Sequence, residues 1–434
     1  MQKIVIAGGG AGGLELATRL GDTLGRAGTA HIVLVDRWPA HFWKPLLHTV
    51  ASGKRDAQAS AVDYAAQACE HHFTFCRGEV RGIERAARCL QLAPLLSDDG
   101  TELVPSRSIG YDKLVLALGS VTNFFGVPGA ADHVLTLDDV AQAQAFHQRF
   151  MDACVQASAR KAAGLPAHGI DIVIVGGGAT GVELAAELSH SARALARYKV
   201  HALDPARDVR IRILERGSLL LPHLHPRLSK RTARHLRALG VRVCTDVAVA
   251  TVDADAVTDT LGAAYPSSIT LWAAGVQAPA LCPELGLSLN HLRQIDVTAA
   301  LQSVDDPDIY AMGDCASFVC PVAGQVPPRA QAAHQQAMFL AHALAQDAEA
   351  AGDGRRFAYR DYGSLVSLGK LTAVGVLKAQ AGGRKVAVGG LVARWLYALM
   401  YRKHLMALHG FVRMAARSVA DWIGEKISPA VKLH

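Results

Sequence analysis

The chain has 434 residues, half of them apolar and 19% charged, and 45 Lys and Arg against 38 Asp and Glu give a net charge of +7. That length exceeds one ordinary core and the composition excludes disorder, so two or three well-packed α/β domains are expected. The charge is uneven: residues 351–434 hold 14 basic and 4 acidic side chains, a local +10 that leaves −3 for the rest, and without an aromatic-basic motif beside it this basic end excludes nucleic acid as the expected partner and favours an anionic lipid surface.

Residues 3–7 (KIVIA) read as a buried strand, and they follow Met1 and Gln2 directly, so no secretory leader is expected. The strand runs into Gly8, Gly9, Gly10, Ala11, Gly12 and Gly13, a GxGxxG turn opening a helix. In such a turn the first glycine (Gly8) bends the chain, the second (Gly10) admits a pyrophosphate, the third (Gly13) lets the helix pack closely, and the helix N-terminus faces the anion. A second strand, residues 31–35, ends in Asp36, placed to accept ribose hydroxyls. Residues 111–120 form a strand ending in a Gly turn. About 168 residues after the first fingerprint the pattern recurs: residues 171–175, then Gly176, Gly178 and Gly181, with Glu215 ending the next strand. Residues 268–275 repeat the strand with a Gly turn, and another strand ends in Gly313 and Asp314.

From Pro327 a helix is expected after two prolines, then strand-like residues 357–375, a Gly-rich stretch at 381–390 and a helical tail. In the tail Leu408, Phe411, Ala415, Val419 and Trp422 recur at three and four, with Arg413, Arg417 and Asp421 opposite. That is the pattern of a helix lying in a membrane interface, or of one packed on its own domain or across a homodimer. No run of 18 uncharged apolar residues argues for a spanning helix. The eight cysteines show neither CxxC nor metal-ligand spacing, so reduced thiols and no metal are expected.

Two dinucleotide fingerprints without a third substrate domain imply electrons passing from one bound dinucleotide to another. An N-terminal fingerprint with a distant Gly-Asp turn is a flavin arrangement, and the second site would take a nicotinamide. Glu215 would repel a 2′-phosphate, favouring NADH over NADPH.

These residues resemble the type II NADH dehydrogenases, the single-chain, non-pumping NADH:quinone oxidoreductases among the flavoproteins with two dinucleotide-binding domains. The resemblance runs nearly end to end. It rests on the first fingerprint with Glu15, on residues 41–48 (HFWKPLLH), on residues 117–120 followed by Asn123, Phe125, Gly126 and Pro128, and on residues 176–183, 271–276 and 312–316. Residues 327–335 (PPRAQAAHQ) contain the AQxAxQ quinone-site motif, and residues 359–369 and the basic tail also match. Leu118 replaces the Thr found before this glycine in many flavoprotein relatives, as the family often shows.

The resemblance implies an α/β fold of two Rossmann-like domains plus a C-terminal, membrane-associating helical region. The FAD domain would comprise residues 1–122 and 296–345, the NADH domain 123–295, and the quinone-site and anchoring region 346–434. Gly8, Gly10 and Gly13 would cradle the FAD pyrophosphate, Asp36 its adenosine ribose, and Asp314 the ribityl chain. Gly176, Gly178, Gly181 and Glu215 would do the same for NADH. Glu183 would sit near the stacked nicotinamide and flavin, and Gln331 and Gln335 at the flavin face that meets quinone. His48 and His334 are proton-donor candidates, more often structural, while Lys370 and Lys378 both stand open as quinone-site lysines. The enzyme would sit peripherally on the cytoplasmic face of the inner membrane. Sulfide:quinone and disulfide reductases are the rivals, but both need paired cysteines at the flavin, and no cysteine follows Cys320. A membrane-tethered, slowly turning NADH sensor is the alternative of another class.

Overall fold

The computed structural model describes residues 1–165, 169–197, 204–347, 356–369, 372–378 and 385–427. Lys370, residues 381–384 of the Gly-rich stretch and the last seven residues lie outside that range. The elements that position the site are β1 (Gln2–Ala7), α1 (Ala11–Leu20), β2 (Ala30–Asp36), α2 (Leu47–Ala51), β3 (Thr74–Arg77), β4 (Lys113–Leu116) and α3 (Val140–Ala162). The second fingerprint brings β5 (Ile170–Val175), α4 (Ala179–Arg197), β6 (Val209–Leu214), α5 (Pro226–Ala238), β7 (Arg242–Cys244) and β8 (Ile269–Trp272). The chain continues with β9 (Ile309–Ala311), α6 (Ala330–Asp347), β10 (Gly363–Ser367), β11 (Ala373–Lys378), β12 (Lys385–Gly390) and α7 (Leu391–Ile427).

The chain divides into two compact units, one of Met1–Lys44, Ala61–Val121 and Val276–Asp361, the other of Pro45–Ser60, Thr122–Gly275 and Tyr362–His434. In the first, five parallel strands lie in the order β9-β4-β1-β2-β3. β1 is central because its Ile4, Val5, Ile6 and Ala7 are all buried, as a strand covered on both faces must be. In the second, four parallel strands lie in the order β7-β6-β5-β8, with β5 in the place of β1. Each unit is thus a doubly wound sheet whose central strand delivers a glycine turn to the carboxyl end, where such folds bind dinucleotides.

These borders differ from the expected ones at three places, each for a packing reason. Residues 276–295 go with the first unit, because Ala278, Cys282, Leu285 and Ile295 are buried in one core with Val5, Val35 and Leu116. Residues 45–60 join the second, where α2 packs on α3 and α4. Residues 356–361 do not join the C-terminal part: Phe357 N donates to Ala299 O at 2.7 Å, which ties that segment to the first unit.

The C-terminal part of the second unit is an antiparallel sheet, β10-β11-β12, followed by α7. α7 is broken at Gly410, whose φ of 73° and ψ of 175° no helix accommodates. The apolar repeat therefore does not form one continuous stripe: Leu408, before the break, is fully buried, and Phe411, after it, is 70% exposed. No helix among the described residues is long and apolar enough to cross a membrane.

Candidate functional site

The two glycine turns are built alike. Gly8 and Gly176 have φ of +109° and +110°, where a side chain is strained, and a Cβ on either would run into the backbone of Ala117 or Ala273. A Cβ on Gly13 or Gly181 would strike the carbonyl of Gly8 or Gly176, so each glycine lets its own helix, α1 or α4, pack closely on the turn that precedes it. The middle glycines are different. A Cβ on Gly10 or Gly178 would meet no protein atom within 4 Å, so both face open space at a helix N-terminus. That is a cradle shaped for an anion from outside the chain, and it fits a dinucleotide pyrophosphate in both units.

The acids also match. Asp36 Oδ2 accepts from Gly9 N at 2.6 Å and its Oδ1 from Trp38 N at 2.8 Å. Glu215 Oε2 accepts from Gly177 N and its Oε1 from Gly217 N, both at 2.6 Å. Each acid therefore pins its own glycine loop. Burial raises the Asp36 carboxyl above its ordinary pKa, offset in part by the Trp38 and Gly9 amides and Arg37.

Two further residues clamp the first turn. The Tyr64 hydroxyl donates to Gly9 O at 2.7 Å, and His41 Nδ1 lies 3.0 Å from the same oxygen. Burial holds His41 down at about 4, so its ring is neutral at pH 7 and Nδ1–H donates. Sequence reading includes His41 only within a matching segment and misses Tyr64, because both contacts join residues more than thirty positions apart.

Asp314, half-buried, belongs to the first unit, and desolvation raises its pKa. Its Oδ2 accepts from Ser120 Oγ at 2.7 Å, and Lys44 Nζ donates to Ser120 O at 2.8 Å. The turn before it is held by Gln336, fully buried, whose Oε1 accepts from Gly313 N at 2.7 Å. Gln336 is absent from the expected site, although it adjoins the AQxAxQ motif.

The motif glutamines have other partners. Gln335 clasps the backbone of Arg360, donating to its O at 2.8 Å and accepting from its N at 2.9 Å. Gln331 Nε2 donates to Asp361 Oδ1 at 3.3 Å. Both fix residues 360–361 against α6, and one helical face carries both, as their spacing of four requires.

In the second unit Glu183 lies on α4 in a buried polar cluster. Its Oε1 accepts from Ser367 N at 2.8 Å, and its Oε2 is 3.5 Å from His48 Nδ1. The buried Tyr397 hydroxyl of α7 faces the same carboxyl. Burial pushes Glu183 up to about 8 and His48 down to about 4, so at pH 7 a neutral carboxyl meets a neutral imidazole. One helical turn on, burial pushes Glu187 up, but Lys54 Nζ at 2.8 Å holds it below its ordinary value. Two carboxyls on one helix are thus held in opposite protonation states, the arrangement by which proteins separate an acid from a base.

Of the expected residues, Gly8, Gly10, Gly13, Asp36, Asp314, Gln331 and Gln335 belong to the first unit, and Gly176, Gly178, Gly181, Glu183 and Glu215 to the second. Lys378 belongs to the second unit too, and its backbone N donates to Tyr362 O at 3.2 Å. All eight cysteines are free, and no metal-binding cluster occurs among the described residues.

A profile described as pyridine nucleotide-disulphide oxidoreductase matches residues 2–337. The chain is 36% identical, over all of both chains, to a type II NADH:quinone oxidoreductase of Haemophilus influenzae. The chain belongs to that family. It is also 28% identical to the type II NADH:quinone oxidoreductase Ndh of Mycobacterium tuberculosis, over 94% of this chain and 85% of the relative. The fold matches NDH2 of Plasmodium falciparum in complex with NADH at a TM-score of 0.82 and 18% identity, over 100% of this chain and 99% of that one.

Proposed function

We propose that the chain oxidises NADH and passes two electrons through bound FAD to a membrane quinone, without pumping protons. The observation that carries this reading is the pair of glycine turns, each open only at its middle glycine, in a chain similar from end to end to a type II NADH:quinone oxidoreductase. When bound, FAD accepts a hydride and releases its electrons again, which is the redox chemistry the side chains themselves lack. Asp36, Gly10, Asp314 and Ser120 would hold it, with Tyr64 and His41 keeping the turn in shape. Gly178 and Glu215 hold NADH, and Glu215 excludes a 2′-phosphate. Glu183, protonated at pH 7, is the buried proton-holding group of the second unit. Gln331 and Gln335 flank the quinone position.

The enzyme is a peripheral membrane protein, and we assign its contact to α7 on the cytoplasmic face. Trp395, Leu399, Met406, Phe411 and Val412 are exposed there, among Arg394, Arg402, Lys403 and Arg413, a mixture suited to an anionic headgroup layer. A homodimer through this region is the competing use of the same apolar surface. Steady-state NADH oxidation by the FAD-loaded protein, with and without a short-chain quinone, tests the reading. Turnover must depend on the quinone; NADH oxidation without it at the same rate excludes quinone as the acceptor and leaves the slow-sensor or oxidase alternatives.

A further inference from the structure

Just beyond Glu215, the second unit carries a groove of about 270 Å³ to which the redox reading gives no role. It is lined by Ser218 and Thr245 and, on α5, by Ser229, Lys230, Arg234 and Arg237. No carboxylate lines it. Leu220 forms part of its wall and also packs over Gly177, so it stands between the groove and the glycine turn that takes the dinucleotide pyrophosphate.

The helix explains the charge. α5 carries Arg227, Lys230, Arg231, Arg234 and Arg237 and no acid. Leu228, Ser229, Thr232 and Leu236 are its buried residues. At about 100° per residue, all five cations therefore fall within an arc of roughly 120° on the opposite side. Lys230 and Arg234 are four apart, Arg234 and Arg237 three apart, spacings at which like charges repel. Among the described residues, no ion pair joins Lys230, Arg234 or Arg237 to an acid. A concave cluster of two guanidiniums, one ammonium and three hydroxyl-bearing side chains matches the charge and the several acceptor oxygens of a phosphomonoester.

We infer that this groove is a phosphate-binding site separate from the glycine turn. Its occupant is a phosphate dianion, either inorganic phosphate or the phosphomonoester of a small metabolite.

The test is calorimetric titration of the full-length, FAD-loaded protein with inorganic phosphate at constant ionic strength. Saturable binding is expected. Arg234→Gln and Arg237→Gln should each weaken it about tenfold, as loss of a charge-assisted hydrogen bond does. Arg227→Gln, on the same basic side but not lining the groove, should leave it unchanged. Absence of a saturable wild-type isotherm, or equal weakening in all three variants, overturns the proposal. Flavin content checks that each variant is folded. Titration with glycerol phosphate then separates the sources: tighter binding than inorganic phosphate marks a phosphomonoester, and equal or weaker binding marks a free phosphate. Because the readout is phosphate binding, its failure leaves the quinone reductase reading untouched, and loss of quinone turnover leaves the groove untouched.

Discussion

His334 Nδ1 lies 2.6 Å from Glu15 Oε2, joining α6, which carries the AQxAxQ motif, to α1, the helix that opens on the first glycine turn. Glu15 is fully buried, and Arg19 takes its other oxygen, with Arg19 Nε donating to Oε1 at 2.9 Å. This contact gives His334 a structural role. His334→Ala strips a buried carboxylate of one of two partners, and should lower stability by about 1–3 kcal/mol. Thermal unfolding of the flavin-loaded variant measures it; an unchanged midpoint would show that Arg19 alone satisfies Glu15.

Glu183 predicts a pH dependence. Its folded pKa of about 8 stands above its ordinary value, so the folded chain binds the proton more tightly than the unfolded chain. Stability from this group is complete at low pH and is lost as pH rises through about 8. Glu183→Gln removes that loss, so its gain in midpoint over wild type should be greater near pH 9 than near pH 5. His48 and His41, both held at about 4, act oppositely: folding favours their neutral rings, and their contribution fades as pH falls from the ordinary histidine value toward 4. A Glu183→Gln midpoint parallel to wild type across the range contradicts the raised pKa.

The nicotinamide preference rests on Glu215. NADH should be used with a higher kcat/KM than NADPH, and Glu215→Gln should narrow the gap by about tenfold, because it removes the charge that opposes the 2′-phosphate, at the cost of one of the two hydrogen bonds accepted from Gly177 N and Gly217 N. Equal wild-type kcat/KM for the two cofactors removes the assignment.

Stopped-flow half-reactions address Gln331 and Gln335. Gln331→Leu should slow reoxidation of the flavin by quinone at least several-fold, and leave its reduction by NADH near wild type. Gln335→Leu should do the same and also loosen residues 360–361, whose backbone it clasps. A defect confined to the reductive half moves α6 to the NADH side.

Removing residues 391–434 should reduce sedimentation with phosphatidylglycerol vesicles, and Arg413→Glu should weaken binding to anionic vesicles more than to neutral ones. Truncation exposes parts of β10-β12 that α7 covers, so Arg413→Glu, at an exposed position, is the cleaner arm. Undiminished sedimentation of both proteins places the membrane contact elsewhere.

The sheets and glycine turns were legible in the sequence because their determinants are local: a run of buried β-branched residues, then glycines at fixed offsets, then an acid on the next strand. Asp36 and Glu215 follow from that pattern. Tyr64, Gln336 and Ser120 do not, since each acts on a turn far away in sequence and has no short-range signature. The tail shows the limit of periodicity, for a heptad-like count passes through Gly410 without registering that the helix breaks there. Unit borders escaped for a similar reason: what assigns residues 276–295 is the set of side chains they bury, not a change in composition.

Within each turn, the outer glycines answer to protein atoms and the middle one to none. Folding and cofactor capture therefore make separate demands on neighbouring positions. A methyl group at Gly10 or Gly178 costs the empty chain no clash, whereas at Gly8 or Gly176 it disturbs the chain before any nucleotide arrives. A side chain at Gly10 or Gly178 should consequently leave the fold intact and weaken only the hold on the nucleotide, whereas one at Gly8 or Gly176 should cost both.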